Sequence, residues 1–93
     1  MLRHYPALID PTADTDGFTI AFPDFQGCTA SGTTVSDAVT SGAEALLSHV
    51  EAMEARGVVV PEPSDLDAPP PSWLGANVEW IRVMVPVLVQ NRA

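Results

Sequence analysis

The sequence predicts a two-layer α+β domain in the order β-β-β-α-β, with one long helix packed on one face of a small sheet. Short segments near the N-terminus alternate apolar and polar residues, one apolar stripe at helical spacing follows residue 34, and a second alternating apolar segment lies near the C-terminus. Period two indicates half-buried strands, and a spacing of three to four indicates an amphipathic helix. The 93 residues suffice for one compact domain.

Three strands are predicted before the helix, separated by segments rich in turn-forming residues. Residues 2–10 form the first. Because proline cannot donate to a sheet ladder, Pro6 favours either an edge position or a backbone nitrogen that faces no ladder partner. Residues 18–22 alternate strictly and predict a half-buried second strand. Residues 28–31 predict a short third strand that Gly32 closes.

The helix has the clearest signals. Thr34 is the predicted N-cap, and Asp37 at the third helical position resembles a capping box. Arg56 is expected in the last turn, where a cation complements the helix dipole, and Gly57 ends the helix. The apolar stripe consists of Val35, Val39, Gly42, Leu46, Val50 and Met53, flanked by Ala38, Ala43 and Leu47.

The C-terminal third of the chain predicts a linker and a returning strand. Residues 61–77 are proline-rich and predict little regular structure. Residues 78–85 predict a strand that is apolar on both faces, which favours a central position and parallel pairing with the first strand through a right-handed crossover. We therefore expect a core over residues 1–60, a linker over 61–77, and a final strand with a short tail over 78–93, without a separate DNA-binding domain.

The charge balance restricts the classes of partner. Twelve acidic residues against four basic ones give a formal net charge of -8, which repels nucleic-acid phosphates and anionic lipid. A basic protein partner fits this surface, although acidity that serves solubility alone is the alternative. A single cysteine, the absence of a signal-peptide pattern and the absence of a long apolar run predict a cytoplasmic protein without a cofactor.

Several motifs together resemble one known family, the HicB-like antitoxins. They are Tyr5-Pro6-Ala7, Gly17-Phe18, Phe22-Pro23-Asp24-Phe25-Gln26-Gly27-Cys28, Gly32-Thr33-Thr34, the helix segment Ala38 to Leu46, and Val60-Pro61-Glu62-Pro63-Ser64. The resemblance covers residues 4–65 strongly and the last strand weakly. We interpret the motif residues as structural: Tyr5, Pro6, Phe22, Pro23, Asp24, Gly27, Cys28, Gly32, Thr34 and Ala38.

The resemblance implies a partial ribonuclease-H-like sheet and a role in a type II toxin–antitoxin pair. Its expected partner is a HicA-type toxin, a small basic RNA-binding protein that cleaves RNA with a catalytic histidine and that the antitoxin masks. Family members often carry a C-terminal DNA-binding module, and too few residues follow the last predicted strand for one, so we expect no direct nucleic-acid binding. Open strand edges predict a homodimer or tetramer.

Two other functions stay open. One is a standalone interaction module of the same fold without a toxin, which a neighbouring gene for a short basic protein would argue against. The other is a metal-dependent nuclease that uses Asp10, Asp24 and Glu44, since such nucleases need several carboxylates around metal ions. Turn formation and a solvated helix surface explain these three carboxylates better.

The remaining candidates are packing and contact residues. Cys28 has no second cysteine, and neither His4 nor His49 has ligand-like spacing to it, so a small buried strand residue is the favoured interpretation. Trp80 is interpreted as core or interface packing, and Trp73 either as an anchor that pins the linker to the domain or to a second subunit, or as simple core packing. The acidic candidates for toxin contact are Asp14, Asp16, Glu51, Glu54, Glu62, Asp65 and Asp67.

Overall fold

The structure, a computed structural model, describes residues 1–10, 17–69, 71 and 80–90. Its elements are β1 (Leu2–Asp10), β2 (Phe18–Ala21), β3 (Thr29–Gly32), α1 (Val35–Ala55) and β4 (Ile81–Leu88). The predicted order and the two layers are confirmed. The last strand lies further along the chain than the predicted residues 78–85 and runs through Pro86. Residues 78 and 79 lie outside the described residues.

The sheet has the order β3-β2-β1-β4, and every neighbouring pair is antiparallel. The predicted parallel pairing of the first and last strands is therefore wrong, since Leu2 lies opposite Leu88 and Ile9 opposite Ile81. The helix brings the chain back to the end of the sheet where β1 begins. The segment after the helix then carries it to the other end before β4 starts, so β4 runs against β1.

The predicted central position of the last strand is also wrong, and of the two alternatives for Pro6 the structure shows a nitrogen without a ladder partner. β1 is central and β4 is an edge strand. Pro6 is accommodated because β2 pairs only with Leu8, Ile9 and Asp10, so the Pro6 nitrogen has no strand partner on the β2 side. Met1 and Val89 exchange both backbone hydrogen bonds, and by the antiparallel alternation the nitrogen of Pro86 then faces the open edge.

The helix begins and ends where the sequence predicts. The Thr34 hydroxyl accepts from the Asp37 amide at 3.0 Å, and the Asp37 carboxylate in turn accepts from the Thr33 hydroxyl at 2.8 Å. The first of these bonds satisfies one orphan N–H of the helix start, and the second links the Asp37 side chain to the residue before the cap. Arg56 was expected in the last turn but is the C-cap, one position beyond the helix end at Ala55, and Gly57 follows with a φ of 73°. That positive φ suits glycine.

One face of the sheet and the apolar stripe of α1 form the core. Ala38, Gly42, Leu46 and Val50 are the buried helix residues. Gly42 permits the close approach of helix and sheet, because a Cβ there would lie 2.9 Å from the Ile20 side chain. The core residues of the strands and loops are Tyr5, Ala7, Ile9, Ile20, Phe22, Phe25, Cys28, Val60, Val85, Val87 and Val89.

Residues 61–69, which we call the strap, cover part of the other sheet face. The Arg82 guanidinium donates to the backbone carbonyls of Leu66 and Ala68 at 2.9 and 2.8 Å. Pro6 and Leu8 are fully buried on this face, beside a small cavity of about 140 Å³ between strap and sheet. The strap contains no helix or strand, and its packing gives the sheet a second partner.

Candidate docking surfaces

The loop over residues 22–28 folds into a tight double turn. The Phe25 amide donates to the Phe22 carbonyl and the Cys28 amide to the Phe25 carbonyl, both at 3.0 Å. The Phe25 ring is buried edge-on between Tyr5, at a centroid distance of 4.8 Å, and His49, at 5.6 Å. Gly27 has a φ of 91°, which suits glycine and lets the loop return to β3. The structure thus places these motif residues in a turn and in the core beneath it.

Asp24 joins this loop to the strap. One carboxylate oxygen accepts from the Ser64 amide at 2.9 Å, and the other accepts a short hydrogen bond from the Ser64 hydroxyl. A carboxylate that accepts two hydrogen bonds from one residue fixes both the position and the orientation of that residue. Asp24 is therefore an anchor for the strap as well as a turn residue.

A second anchor lies at the start of the strap. The Tyr5 hydroxyl donates to the Pro61 carbonyl and accepts from the Arg3 guanidinium at 3.3 Å. Arg3 also donates to that carbonyl at 3.4 Å and lies 3.8 Å from the Glu62 carboxylate. The hydrogen bond with Tyr5 raises the pKa of Arg3, with a smaller contribution from the charge of Glu62.

Gly32 and Ala38 mark the contact between β3 and the helix start. A Cβ on Gly32 would lie 2.3 Å from the Ala38 nitrogen, so only glycine fits. Ala38 is fully buried there. With Thr34 as the N-cap between them, these three motif residues serve the fold.

The carboxylates considered for a nuclease do not converge. Asp10 ends β1 at one end of the sheet, Asp24 lies in the loop at the opposite end, and Glu44 is on the helix. Among residues 1–10, 17–69, 71 and 80–90, no group of three or more His, Cys, Asp or Glu side chains is arranged to hold a metal ion.

Cys28 and the two histidines occupy different environments in the fold. Cys28 is buried, and this burial raises the pKa of its thiol, which disfavours the reactive thiolate. His49 packs against Phe25 on the helix side. His4 is exposed and lies opposite Pro86 on the other side of the sheet.

The acidic candidates for partner contact fall into two groups. Glu51 and Glu54 lie on the helix, whereas Glu62, Asp65 and Asp67 lie on the strap, which crosses to the opposite face of the sheet. Asp14 and Asp16 lie outside the described residues, as does Trp73. The structure therefore does not bring all the predicted contact residues onto one surface. Trp80 is half-buried directly before β4.

An apolar groove between α1 and β4 was missed by the sequence analysis. It is formed by Leu2, Leu47 and Leu88, and we call it the leucine groove. These side chains are 59%, 40% and 50% exposed, respectively, around a volume of about 320 Å³. The one available signal was Leu47, which flanks the core stripe.

No helix in the described part of the chain is long and apolar enough to cross a membrane.

Comparison with known proteins gives consistent matches. A family model described as the HicB_like antitoxin of bacterial toxin-antitoxin system matches residues 5–92. The fold is similar to that of a chain in a toxin–antitoxin complex from Streptococcus pneumoniae, with a TM-score of 0.72 and 27% identity over 94% of this chain and 69% of that one. It is also similar to a chain of the HicA3 and HicB3 toxin–antitoxin complex, with a TM-score of 0.61 and 29% identity over 96% of this chain and 100% of that one.

One curated relative is more distant in coverage. An uncharacterized 14.9 kDa protein from the rep-hol intergenic region of Haemophilus phage HP1 is 37% identical over 49 residues. The match spans 53% of this chain and 35% of that protein, so the matched segment covers about a third of that relative's length.

Proposed function

This chain belongs to the HicB-like antitoxin family of bacterial toxin–antitoxin systems, and we propose that it acts as an antitoxin that binds and masks a HicA-type RNA-cleaving toxin. The observation that carries this proposal is the family match, which extends over residues 5–92 and so includes both the core and the returning strand. The similar chains in two solved toxin–antitoxin complexes support it.

The mechanism that we propose is occupation of the toxin's RNA-binding face. A protein that binds RNA presents cations to phosphates, and a chain with a net charge of -8 offers carboxylates to the same cations. Charge complementarity accelerates encounter, and apolar contacts then slow dissociation. This mechanism requires no chemistry from the antitoxin itself, so we propose that the chain is not an enzyme.

We further propose a cytoplasmic location, no direct binding of nucleic acid, and self-association into a homodimer or tetramer. The two sheet edges offer different opportunities for self-association. β3 presents a four-residue edge, whereas the edge of β4 is longer but contains Pro86. A partner strand would therefore pair more regularly with β3.

The experiment that tests the proposal uses a short basic protein encoded beside this chain's gene. The two proteins are co-expressed with an affinity tag on the basic protein alone, and the purified complex is compared with the basic protein freed by denaturation and refolding. We expect the chain to co-purify, the freed partner to degrade RNA, and added chain to stop that degradation in proportion to the complex formed.

Different failures point to different functions. If the partner degrades RNA equally with and without the chain, the antitoxin proposal is wrong and a standalone interaction module is favoured. If the purified chain alone degrades RNA in the presence of Mg²⁺, and Asp10→Asn abolishes this activity, the chain is a nuclease. An inert partner whose complex changes nothing in RNA would also contradict the proposal.

A further inference from the structure

The leucine groove is an apolar surface on an otherwise acidic side of the molecule. Leu47 projects from α1, and Leu88 and Pro86 belong to the edge strand β4. Leu2 lines the groove from the start of β1, opposite Leu88. By strand alternation the side chains of Leu2 and Leu88 share a sheet face with Pro6 and Leu8, so the groove extends around the edge of β4 onto the part of that face beyond the strap. Clustered exposed apolar side chains rimmed by polar residues are typical of protein contact surfaces, so this groove is a candidate contact surface.

Glutamates border the groove along the helix. Glu44 lines the groove itself, and Glu51 and Glu54 line an adjoining depression of about 220 Å³ that shares Leu47 and Leu88. Residues 44, 47 and 51 share one helix face by their spacing, so the charged and apolar side chains form one stripe.

This acidic border is not neutralised from within the described part of the chain. The one ion pair among those residues joins Arg3 to Glu62 on the strap. Glu54 accepts a hydrogen bond from the Gln90 amide at 2.7 Å, which leaves its charge in place. Negative charge beside exposed leucines favours a partner segment that combines cations with a large apolar side chain.

A second copy of the chain fits this groove poorly. Two copies that met there would bring Glu44 and Glu51 of each protomer together, and like charges across an interface oppose association. Regular strand pairing along β4 is also interrupted, because Pro86 contributes no N–H to the open edge. The groove therefore favours a partner of opposite charge.

The strap acids are a weaker alternative for that contact. Glu62 is already paired with Arg3. Asp65 and Asp67 lie on the layer opposite the helix, where the strap itself fills the apolar sheet face over Leu8. Acidic and exposed apolar groups are therefore combined at the leucine groove.

We infer that the leucine groove is the surface on which the toxin docks, receiving an apolar toxin side chain flanked by lysine or arginine. The inference rests on the proposed antitoxin function and adds the location and chemistry of the contact. It assigns Leu2, Leu47 and Leu88 as the apolar anchor sites and Glu44 and Glu51 as the acidic border.

The first test measures the affinity of the full chain for the basic protein that co-purifies with it, by titration calorimetry. Leu47→Arg places a cation and a longer side chain in the groove, and we expect affinity to fall about tenfold or more, as for a central interface residue. Val59→Arg is the matched control, because Val59 is 68% exposed and lies outside the groove. We expect the control to change affinity by less than about twofold.

The second test compares the two acidic groups in variants of equal net charge. The double variant Glu44→Lys with Glu51→Lys changes the total charge by the same amount as Asp65→Lys with Asp67→Lys. We expect the groove pair to slow association about tenfold and to flatten its dependence on salt, because border charges act mainly on encounter. The strap pair should associate nearly as fast as the unaltered chain.

Unchanged helical circular dichroism and thermal midpoint establish that each variant is folded, and the smaller change Leu47→Ala replaces Leu47→Arg if that variant unfolds. Equal affinity for all groove variants, or equal slowing by both acidic pairs, would overturn the inference while the antitoxin proposal stands. A dimer of the chain that Leu47→Arg dissociates without a change in toxin affinity would overturn it as well. Failure of the unaltered chain to bind counts against the antitoxin proposal itself.

Discussion

Removing the carboxylate of Asp24 is expected to loosen the strap and destabilise the whole domain. Asp24 accepts two hydrogen bonds from Ser64, one from the amide and one from the hydroxyl. A hydrogen bond to a charged group contributes roughly 1.5–3 kcal/mol when it is well shielded, and less when one partner is exposed. Ser64 is exposed, so we expect Asp24→Ala to lower the free energy of unfolding by about 2 kcal/mol in total.

The size of the thermal effect follows from the size of the chain. For a domain of this length, 1 kcal/mol corresponds to roughly 4–8 °C in Tm, so Asp24→Ala should lower Tm by roughly 10 °C. Ser64→Ala keeps the hydrogen bond from the backbone amide and loses the one from the hydroxyl, so it should lower the free energy of unfolding by about 1 kcal/mol. The control Asp67→Ala, at an exposed strap position, should stay within about 0.5 kcal/mol.

Equilibrium unfolding in urea measures the free energy of unfolding of the unaltered chain, the three single variants and the double variant of Asp24 and Ser64. If the two residues act through one contact, the double variant is no less stable than Asp24→Ala, and the coupling free energy is about 1 kcal/mol. Exchange of the Ala68 amide, which donates to the Asp65 carbonyl, should also accelerate in Asp24→Ala. Strictly additive effects of the two substitutions would refute the Asp24–Ser64 anchor.

Three further predictions concern the glycines at positions 27 and 32, the helix cap and the buried thiol; urea unfolding tests the first two, and thiol labelling with the pH dependence of unfolding tests the third. Gly32→Ala should lower the free energy of unfolding by about 3 kcal/mol, because its Cβ would lie 2.3 Å from a backbone atom. Gly27→Ala has open space around its Cβ and should lower the free energy of unfolding by roughly 1–2 kcal/mol, because its φ is 91°. Equal losses for the two variants would contradict this packing. Thr34→Ala should cost about 1 kcal/mol through loss of the N-cap, and no loss would exclude that role. Because burial raises the pKa of Cys28, the native thiol should react slowly with a disulfide reagent near about pH 8. The free energy of unfolding should fall as pH rises above the unfolded thiol pKa of about 8.5, because the native state then binds more protons than the unfolded state. Rapid labelling of native protein, or stability that rises over this pH range, would contradict the burial.

The sequence predicted the elements and their faces more successfully than their arrangement. The cap at Thr34, the end at Gly57 and the helix stripe follow from local chemistry, so they were predictable. Periodicity gives the faces of a strand and leaves its direction and neighbours undetermined, which is why β4 was wrongly expected to be central and parallel. The two alternatives for Pro6 could not be separated from the sequence, because its missing N–H matters only where β2 pairs with β1, and that pairing ends at Leu8.

The strap and the leucine groove could not have been predicted from residue types. The strap is held largely through the carbonyls of Pro61, Leu66 and Ala68, which any residue would supply. The groove depends on which leucines remain exposed after the helix and sheet have packed. Composition correctly indicated an acidic surface, but only the fold separates the helix acids from the strap acids.

The most direct test of the claim that this chain acts by binding a toxin, without catalysis of its own, is hydrogen–deuterium exchange measured on the free chain and on its complex with the basic partner. The Leu88 amide faces the open edge of β4, so it should exchange rapidly in the free chain. We predict that exchange of the Leu88 amide slows in the complex, together with exchange of the Met84 amide on the same edge of β4, while exchange of strap amides near Asp67 is unchanged. Protection confined to the strap, with Leu88 still exchanging rapidly, would contradict the account.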